Sequence, residues 1–137
     1  MWWIFALLAA FFAALTGLFA KKGLTGVNPD LATAIRTVII LFLSWTIVFF
    51  KGNYNTIHSL TRNNWIFLIL SGLATGLSWL FYFRALQIGK LGNVAVVDKL
   101  SLALTIILAF IFLGEPMTWK TIIGGGLVVA GSLVLIL

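Results

Sequence analysis

The sequence of 137 residues contains no cysteine and only three acidic residues. The lack of cysteine excludes disulfide bonds, thiolate metal sites and cysteine nucleophiles. The single histidine, His58, lies in a loop, where a lone histidine is usually a solvated surface residue. No catalytic triad, phosphate-binding loop or metal-ligand cluster is present. We therefore expect a protein that is not an enzyme and that needs neither a cofactor nor a metal.

Charge is also scarce, since charged residues make up 9% of the chain and apolar residues 62%. A soluble protein of this length would need polar residues over most of its surface. The net charge of +6 would raise the question of nucleic acid for a soluble chain. Here the basic residues are scattered, without a basic arm or helix face, so we expect no nucleic-acid partner. The expected surroundings are the lipid bilayer.

Five apolar segments are long enough to cross a membrane, and they cover residues 2–20, 31–50, 65–88, 93–113 and 117–137. About 20 apolar residues, each rising ~1.5 Å, cross a hydrocarbon layer of ~30 Å. Only a helix satisfies the backbone of an isolated span in lipid. The sequence therefore predicts an all-α integral membrane protein, with five transmembrane helices in a single transmembrane domain. Because Lys21 and Lys22 follow the first stretch and no basic residue precedes it, we expect a retained helix, not a signal peptide.

The breaks between the spans contain residues that start and stop helices. Asn28 can cap the second helix, with Pro29 at its first position. Gly89 can close the third helix, Asn93 can cap the fourth, and Thr118 can cap the fifth. The connections are therefore expected to be short, apart from the loop between the second and third spans.

Small residues occur at helix-packing spacing in the third and fifth spans. They are Gly72 and Gly76 in the third, and Gly124, Gly125 and Gly131 in the fifth. Small side chains let helix backbones approach closely in lipid. For the third span we favour packing within the chain. For the fifth span, packing within the chain and contact between subunits are both open.

Four charged residues fall inside the predicted spans, at similar distances from one membrane surface: Arg36, Arg84, Asp98 and Lys99. Each lies about 8–10 Å from the nearest predicted helix end. A charge at the bilayer centre costs about 2.5–3.5 kcal/mol on insertion scales, and such groups normally face a partner or water. For the two arginines, snorkelling of the long side chain to the interface is the alternative.

Asp98 is too short to snorkel and therefore needs a partner or a wet cavity. Arg84, at matching depth across the predicted hairpin, is its expected partner. Arg36 and Lys99 then leave a positive patch that attracts carboxylate or phosphate groups. In the alternative interpretation, Asp98 itself is the coupling site and binds a proton or an organic cation.

Aromatic residues lie near the same level of the third span. Trp79 and Tyr82 are three residues apart and share a helix face, so they can form a stacking or cation–π wall. For Phe83 a lipid-facing position is at least as well supported. We therefore place Trp79 and Tyr82 in the pathway and leave Phe83 out of it.

The basic residues outside the spans do not indicate which way the chain is oriented in the membrane. The first and third connections hold Lys21, Lys22 and Lys90, and the second and fourth hold Lys51, Arg62 and Lys120. If the intramembrane Arg36, Arg84 and Lys99 are also counted, the side of the first and third connections has six basic residues and the other side has three. That excess would place the N-terminus outside. Balanced loops instead favour insertion in both orientations and an antiparallel homodimer. Such a pair would reproduce the inverted repeats of single-chain transporters.

Several loose motifs occur in an order that resembles one known family. They are residues 9–22 (AAFFAALTGLFAKK), 32–36 (ATAIR), 70–86 (LSGLATGLSWLFYFRAL), 94–104, 112–115 (FLGE) and the glycine-rich last span. Over nearly its whole length the chain resembles a single EamA-type unit of the drug/metabolite transporter superfamily. The resemblance implies a transporter of small metabolites or drugs, commonly an exporter, with a central cavity between two five-helix repeats.

The chain departs from that pattern by having one repeat, so the resemblance implies a homodimer or pairing with a similar subunit. It also has no acid in the first span, where the related small multidrug-resistance proteins carry their coupling carboxylate. Asp98 is then the intramembrane candidate for coupling.

These observations predict a multi-pass transporter of the cytoplasmic membrane that exports a small molecule by alternating access, as a dimer. The predicted pathway residues are Arg36, Trp79, Tyr82, Arg84, Asp98 and Lys99. Arg36 and Lys99 would hold an anionic or zwitterionic group of the substrate, and Asp98 would balance charge or carry a proton. The alternatives are a non-transporting assembly or scaffold subunit, and a subunit that translocates a lipid-linked substrate.

Overall fold

The computed structural model describes residues 1–137 and contains only helices and their connections. The helices are α1 (Trp2–Gly23), α2 (Pro29–Phe50), a 3₁₀ segment (Asn53–Ser59), α3 (Arg62–Ile88), α4 (Leu91–Asp98), α5 (Leu100–Leu108), a π-helical turn (Ala109–Leu113) and α6 (Trp119–Ile136). Five helical spans are long and apolar enough to cross a membrane, with α4, α5 and the π-helical turn together forming the fourth. The predicted all-α membrane fold is confirmed.

Two of the predicted helix starts are confirmed in atomic detail. The Asn28 side-chain oxygen accepts hydrogen bonds from the Asp30 and Leu31 amides at 2.8 and 3.3 Å, and Pro29 follows as the first helical residue. The Thr118 hydroxyl accepts a hydrogen bond from the Thr121 amide at 3.2 Å. In both cases a side-chain oxygen satisfies amides that have no partner within the helix.

The third and fourth spans begin earlier than their hydrophobicity indicates. Helix α3 begins at the polar residue Arg62 rather than at residue 65. Helix α4 begins at Leu91, with Lys90 as an extended N-cap residue, so Asn93 lies inside the first turn. The prediction that Asn93 caps this helix is therefore wrong. The first turn of α4 is closed by the Val94 amide, which donates a hydrogen bond to the Lys90 carbonyl at 3.1 Å.

The fourth span is interrupted at the residue that follows Asp98. Lys99 separates α4 from α5, and its amide donates to the carbonyls of Val96 and Val97 instead of the residue four positions back. Its own carbonyl accepts from the Leu102 amide at 2.9 Å. The helix is therefore locally tightened at Lys99, whose φ of −70° and ψ of −9° stay in the right-handed helical region, and the span's only two charged residues stand at this joint.

The chain divides into two compact units. One contains residues 19–87, and the other contains residues 1–18 and 88–137. The buried residues of the 19–87 unit are Ala20, Leu24, Thr33, Phe83 and Leu86. They belong to the end of α1, the connection after it, the beginning of α2 and the last turns of α3. This small core holds together the end of the unit that carries most of the predicted site residues.

In the other unit, Ser132 is fully buried and its hydroxyl donates to the carbonyls of Val96 and Val128, at 3.0 and 2.8 Å. This side chain fixes α6 to the turn that precedes the joint at Lys99. Nearby, Gly125 of α6 is buried, and a Cβ there would stand 3.0 Å from Ile106 Cδ1 of α5. Helices α5 and α6 therefore approach each other closely at this glycine.

Candidate functional site

An ion pair joins the last turns of α3 to the first turn of α2. The Arg84 guanidinium donates to both carboxylate oxygens of Asp30, with Nη2 at 2.9 and 3.1 Å and Nε at 3.3 Å. The fork of donors on arginine suits this two-point contact. The prediction that Arg84 pairs with Asp98 is therefore wrong, because the end of α3 lies beside the beginning of α2 within the 19–87 unit.

Two further hydrogen bonds hold the same end of α3. The Gln87 side-chain amide donates to the Val27 carbonyl at 3.1 Å. The Lys21 ammonium donates to the Leu86 carbonyl. Carbonyls at the end of a helix lack a partner within that helix, so the lysine satisfies one of them. The last turn of α3 is thus tied to the end of α1 and to the connection before α2.

Arg36 has no carboxylate partner. Its guanidinium carbon lies 4.4 Å from the centre of the Phe83 ring and 5.3 Å from that of Trp79. Its Nη1 atom is buried and has no hydrogen-bond partner. The two rings stabilise the positive charge through their negative faces, but they leave a charge-assisted donor unused. A buried unsatisfied donor costs about 1–3 kcal/mol, so the position of the Arg36 guanidinium destabilises the folded chain.

The rings around Arg36 overlap only in part with the aromatic residues expected in the pathway. Trp79 is one of them, but the ring nearest the guanidinium belongs to Phe83, which is almost completely buried. Tyr82 packs edge-on against Phe83, with ring centres 5.8 Å apart. Phe83 was missed because a phenylalanine in a membrane helix resembles any lipid-facing residue. Phe83 follows Trp79 by four residues, so the two rings share a helix face. That spacing could have identified Phe83 from the sequence.

A groove of about 440 Å³ runs along the facing sides of α2 and α3. Its wall is formed by Thr37, Ile40, Leu41, Ser44 and Trp45 of α2, and by Leu68, Ser71, Gly72, Thr75, Gly76 and Trp79 of α3. Trp79 is both a wall of this groove and a ring under Arg36. The guanidinium does not itself line the groove, but it packs against a ring that does.

Glycines keep the groove open on the α3 side. Within this unit no atom lies within 4 Å of a Cβ placed on Gly72 or Gly76. The close helix packing that we expected within the chain at these two positions is therefore not found there. Whether a second subunit covers them stays a prediction, as it does for Gly124 and Gly131.

Hydroxyl groups provide the polar part of the groove wall. The hydroxyls of Thr37 and Thr75 donate to carbonyls of their own helices, at 2.8 and 2.9 Å. Those of Ser44 and Ser71 make no hydrogen bond within the chain. The groove thus combines a mostly apolar surface with two available hydroxyls, and Trp79 stands between it and the Arg36 cation.

The remaining predicted residues, Asp98 and Lys99, pair with each other in the other unit. The Lys99 ammonium lies 3.6 Å from the Asp98 carboxylate, and both side chains are partly exposed. Asp98 is the last residue of α4, and Lys99 is the single residue between α4 and α5.

The predicted site residues are thus divided between the two units. Arg36, Trp79, Tyr82 and Arg84 belong to the 19–87 unit, while Asp98 and Lys99 belong to the other. Asp30 is an addition to the predicted set. Asp30 did not stand out in the sequence, because an acid at a helix start is common where the helix dipole favours it. However, consecutive spans alternate in direction, so the beginning of α2 and the end of α3 lie on the same side of the membrane. That shared surface is the signal that could have linked Asp30 to Arg84.

Two known proteins with similar sequences are named as transporters. "Uncharacterized transporter in cobO 3'region" of Sinorhizobium sp is 46% identical over 134 residues, which are 98% of this chain and 95% of that protein. "Uncharacterized transporter YxxF" of Bacillus subtilis (strain 168) is 26% identical over 121 residues, or 87% of this chain and 37% of that protein. No solved structure matches the chain. The model of the EamA-like transporter family matches residues 1–137. The chain belongs to the EamA-like transporter family and is a multi-pass membrane transporter.

Proposed function

We propose that this transporter exports small organic anions, whose anionic group binds Arg36 and whose body occupies the α2–α3 groove. The observation that carries the proposal is the state of the Arg36 guanidinium. Asp30 is bound by Arg84, and Asp98 lies beside Lys99. Arg36 is left with two aromatic rings and a buried nitrogen that has no partner.

The groove has properties that suit the rest of such a molecule. Its volume of about 440 Å³ falls in the usual range for sites that bind small molecules, roughly 300–1,000 Å³. Those sites are mostly apolar and contain a few polar groups that orient the ligand. Here Trp79 and the open surface of Gly72 and Gly76 suit a flat apolar body, and Ser44 and Ser71 can bind its polar substituents. Export as the direction rests on the family resemblance.

We further propose that the transporter works by alternating access as a homodimer in the cytoplasmic membrane, with its two copies antiparallel. The 121 aligned residues cover 37% of the YxxF protein, so two copies of the chain come closer to the length of such a relative than one does. The equal number of basic residues in the two sets of loops supports insertion in both orientations.

Asp98 is proposed as the coupling residue that accepts a proton during transport. It lies at a joint between two helices within one span. The partly exposed pair with Lys99 gives the carboxylate a neighbour when it is ionised.

The anion site can be tested by uptake into proteoliposomes with two probes that have the same ring and opposite permanent charges. Benzenesulfonate is the anion and phenyltrimethylammonium the cation, and neither crosses a bilayer unaided. We expect saturable uptake of benzenesulfonate and little uptake of phenyltrimethylammonium. Arg36→Gln should lower benzenesulfonate uptake at least tenfold. The matched control is Arg62→Gln, which removes a basic residue at the start of α3, away from the groove.

Two results would contradict the proposal. Equal benzenesulfonate uptake by the unmodified protein and Arg36→Gln would remove the site assignment. Preferential uptake of phenyltrimethylammonium would reverse the substrate charge and favour Asp98 as a cation site.

A further inference from the structure

A second cavity lies beside the groove, between α2 and the 3₁₀ segment that follows it. Its volume is about 260 Å³. Residues of the 3₁₀ segment, including Asn53, Tyr54 and Ile57, form one side, and α2 forms the other. Ser44 and Trp45 line both this cavity and the α2–α3 groove. The two spaces are therefore neighbours that share a wall.

One face of α2 runs beneath both spaces. Thr37, Leu41 and Ser44 line the groove, while Ser44 and Val48 line the second cavity. Their spacing of three and four residues places them in one row along the helix. From Thr37 to Val48 this row rises about 16 Å. A molecule that moves along this face goes from the second cavity, beside the 3₁₀ segment, into the groove and stays in contact with α2 throughout.

Trp45 is the large side chain at the boundary. Its ring packs against Phe49 with centres 5.8 Å apart, and Phe49 packs against Tyr54 of the 3₁₀ segment at 5.9 Å. These contacts hold the indole from the side of the second cavity. The indole is 43% exposed at the shared wall, so a molecule that moves between the two spaces along α2 would meet it.

We propose that the second cavity is the mouth of the substrate passage, and that Trp45 is a specificity-determining residue that sets the largest cross-section admitted to the groove. The proposal rests on the proposed function, because it gives the α2–α3 groove the role of the substrate site. It adds a route to that site and a size limit. Bulky organic anions are then expected to enter the groove more slowly than those with one ring.

The test uses the absence of cysteine from the chain, which makes any introduced thiol unique. Thr75→Cys places a thiol in the groove, and the protein is reconstituted in nanodiscs so that both membrane surfaces meet the solution. Two water-soluble reagents are compared: the small anion methanethiosulfonate ethylsulfonate and the bulky fluorescein-5-maleimide. The labelling rate of each is measured with Trp45 intact, with Trp45→Phe and with Trp45→Ala.

We expect Trp45→Ala to raise the rate of the bulky reagent at the Thr75→Cys thiol at least tenfold, and that of the small reagent less than threefold. Trp45→Phe should give an intermediate rate. Trp65→Ala, which removes a tryptophan that lines neither cavity, should leave both rates unchanged. A thiol placed by Thr56→Cys lies on the solution side of Trp45 and should change its labelling rate less than threefold between the backgrounds, while circular dichroism checks that each variant is folded.

Equal rates for the bulky reagent in the Trp45 and Trp45→Ala proteins would overturn the proposal, as would a complete lack of labelling at the Thr75→Cys thiol. The measurement needs no transported substrate. If Arg36 does not bind anions, the labelling pattern is still expected. If the anion site is correct and only this route is wrong, benzenesulfonate uptake persists while the labelling pattern fails.

Discussion

At the scale of single residues, the difference between Arg84 and Arg36 is the main finding. Both are arginines inside spans, but Arg84 is neutralised by Asp30 and Arg36 is held between aromatic rings with an unbonded nitrogen. An arginine with a carboxylate partner holds helices together. An arginine without one is available to a ligand, and the cost of keeping it in the membrane is consistent with a role in binding.

The Asp30–Arg84 pair predicts rescue by exchange of the two charges. Asp30→Arg and Arg84→Asp should each lower the melting temperature, because each places two like charges face to face. The double variant Asp30→Arg/Arg84→Asp restores the attraction and should recover more than half of the loss. Thermal unfolding followed by circular dichroism in detergent measures all three.

The matched control exchanges Arg84 with the acid that sequence reasoning assigned to it. Asp98→Arg combined with Arg84→Asp should give no recovery, because the neighbour of Asp98 is Lys99. Recovery in this control, or its absence in the Asp30 pair, would show that the arginine has been assigned the wrong partner.

The same residues show what could be read from the sequence. Arg36 and Trp79 stand out because a charge inside a span needs a partner and an amphipathic ring at the same depth can supply one. The structure brings these two side chains together. Phe83 and Asp30 do not stand out, because a phenylalanine in a span and an acid at a helix start are common. Their roles depend on which helix ends meet, and that is a tertiary property.

At the scale of helices, the interrupted fourth span is the feature that hydrophobicity could not predict. An apolar run from Val94 to Leu113 predicts one continuous helix, and no proline marks the joint at Lys99. The caps at Asn28 and Thr118 were predictable because they use local side-chain chemistry. The joint instead depends on backbone bonds that Lys99 makes and on Ser132, a residue distant in sequence.

The glycines of α6 give a second test at this scale. Gly124, Gly125 and Gly126 are equivalent by composition, but of the three only Gly125 would place a Cβ in tight contact, 3.0 Å from Ile106 Cδ1. Gly125→Leu should lower the free energy of unfolding by about 1–3 kcal/mol through overpacking. Gly126→Leu, whose Cβ meets open space, is the control and should have less than half that effect.

Titration with sodium dodecyl sulfate measures the free energy of unfolding of both glycine variants and of the unmodified protein. Equal losses for Gly125→Leu and Gly126→Leu would mean that the α5–α6 contact does not decide the packing of α6.

At the scale of the whole molecule, five spans were predictable because their length and hydrophobicity follow directly from the bilayer. The family was predictable from a resemblance carried by the order of several motifs. The division of the site residues between two units was not predictable, since it depends on how the helices associate. In lipid, helices pack through shape and hydrogen bonds rather than through a hydrophobic driving force. Spacing along one sequence therefore says little about which helices are neighbours.

The proposed antiparallel dimer predicts that the chain inserts in both orientations. A C-terminal alkaline phosphatase is active outside the cytoplasmic membrane, and a C-terminal green fluorescent protein is fluorescent inside. We expect substantial activity from both fusions, because the basic residues of the loops are balanced. Adding three lysines to the loop at residues 51–61 should suppress one of the two signals. Activity of a single fusion in the unmodified chain would exclude dual insertion.

The proposed role of Arg36, binding of the anionic group of the substrate, can be tested by direct binding without the transport cycle. Isothermal titration of benzenesulfonate into the reconstituted protein should show binding that weakens at least tenfold in Arg36→Gln and less in Arg36→Lys. A charge-assisted hydrogen bond is worth about 1.5–3 kcal/mol, and 1.4 kcal/mol corresponds to about tenfold in affinity. Equal affinity in the unmodified protein and in Arg36→Gln would contradict this role.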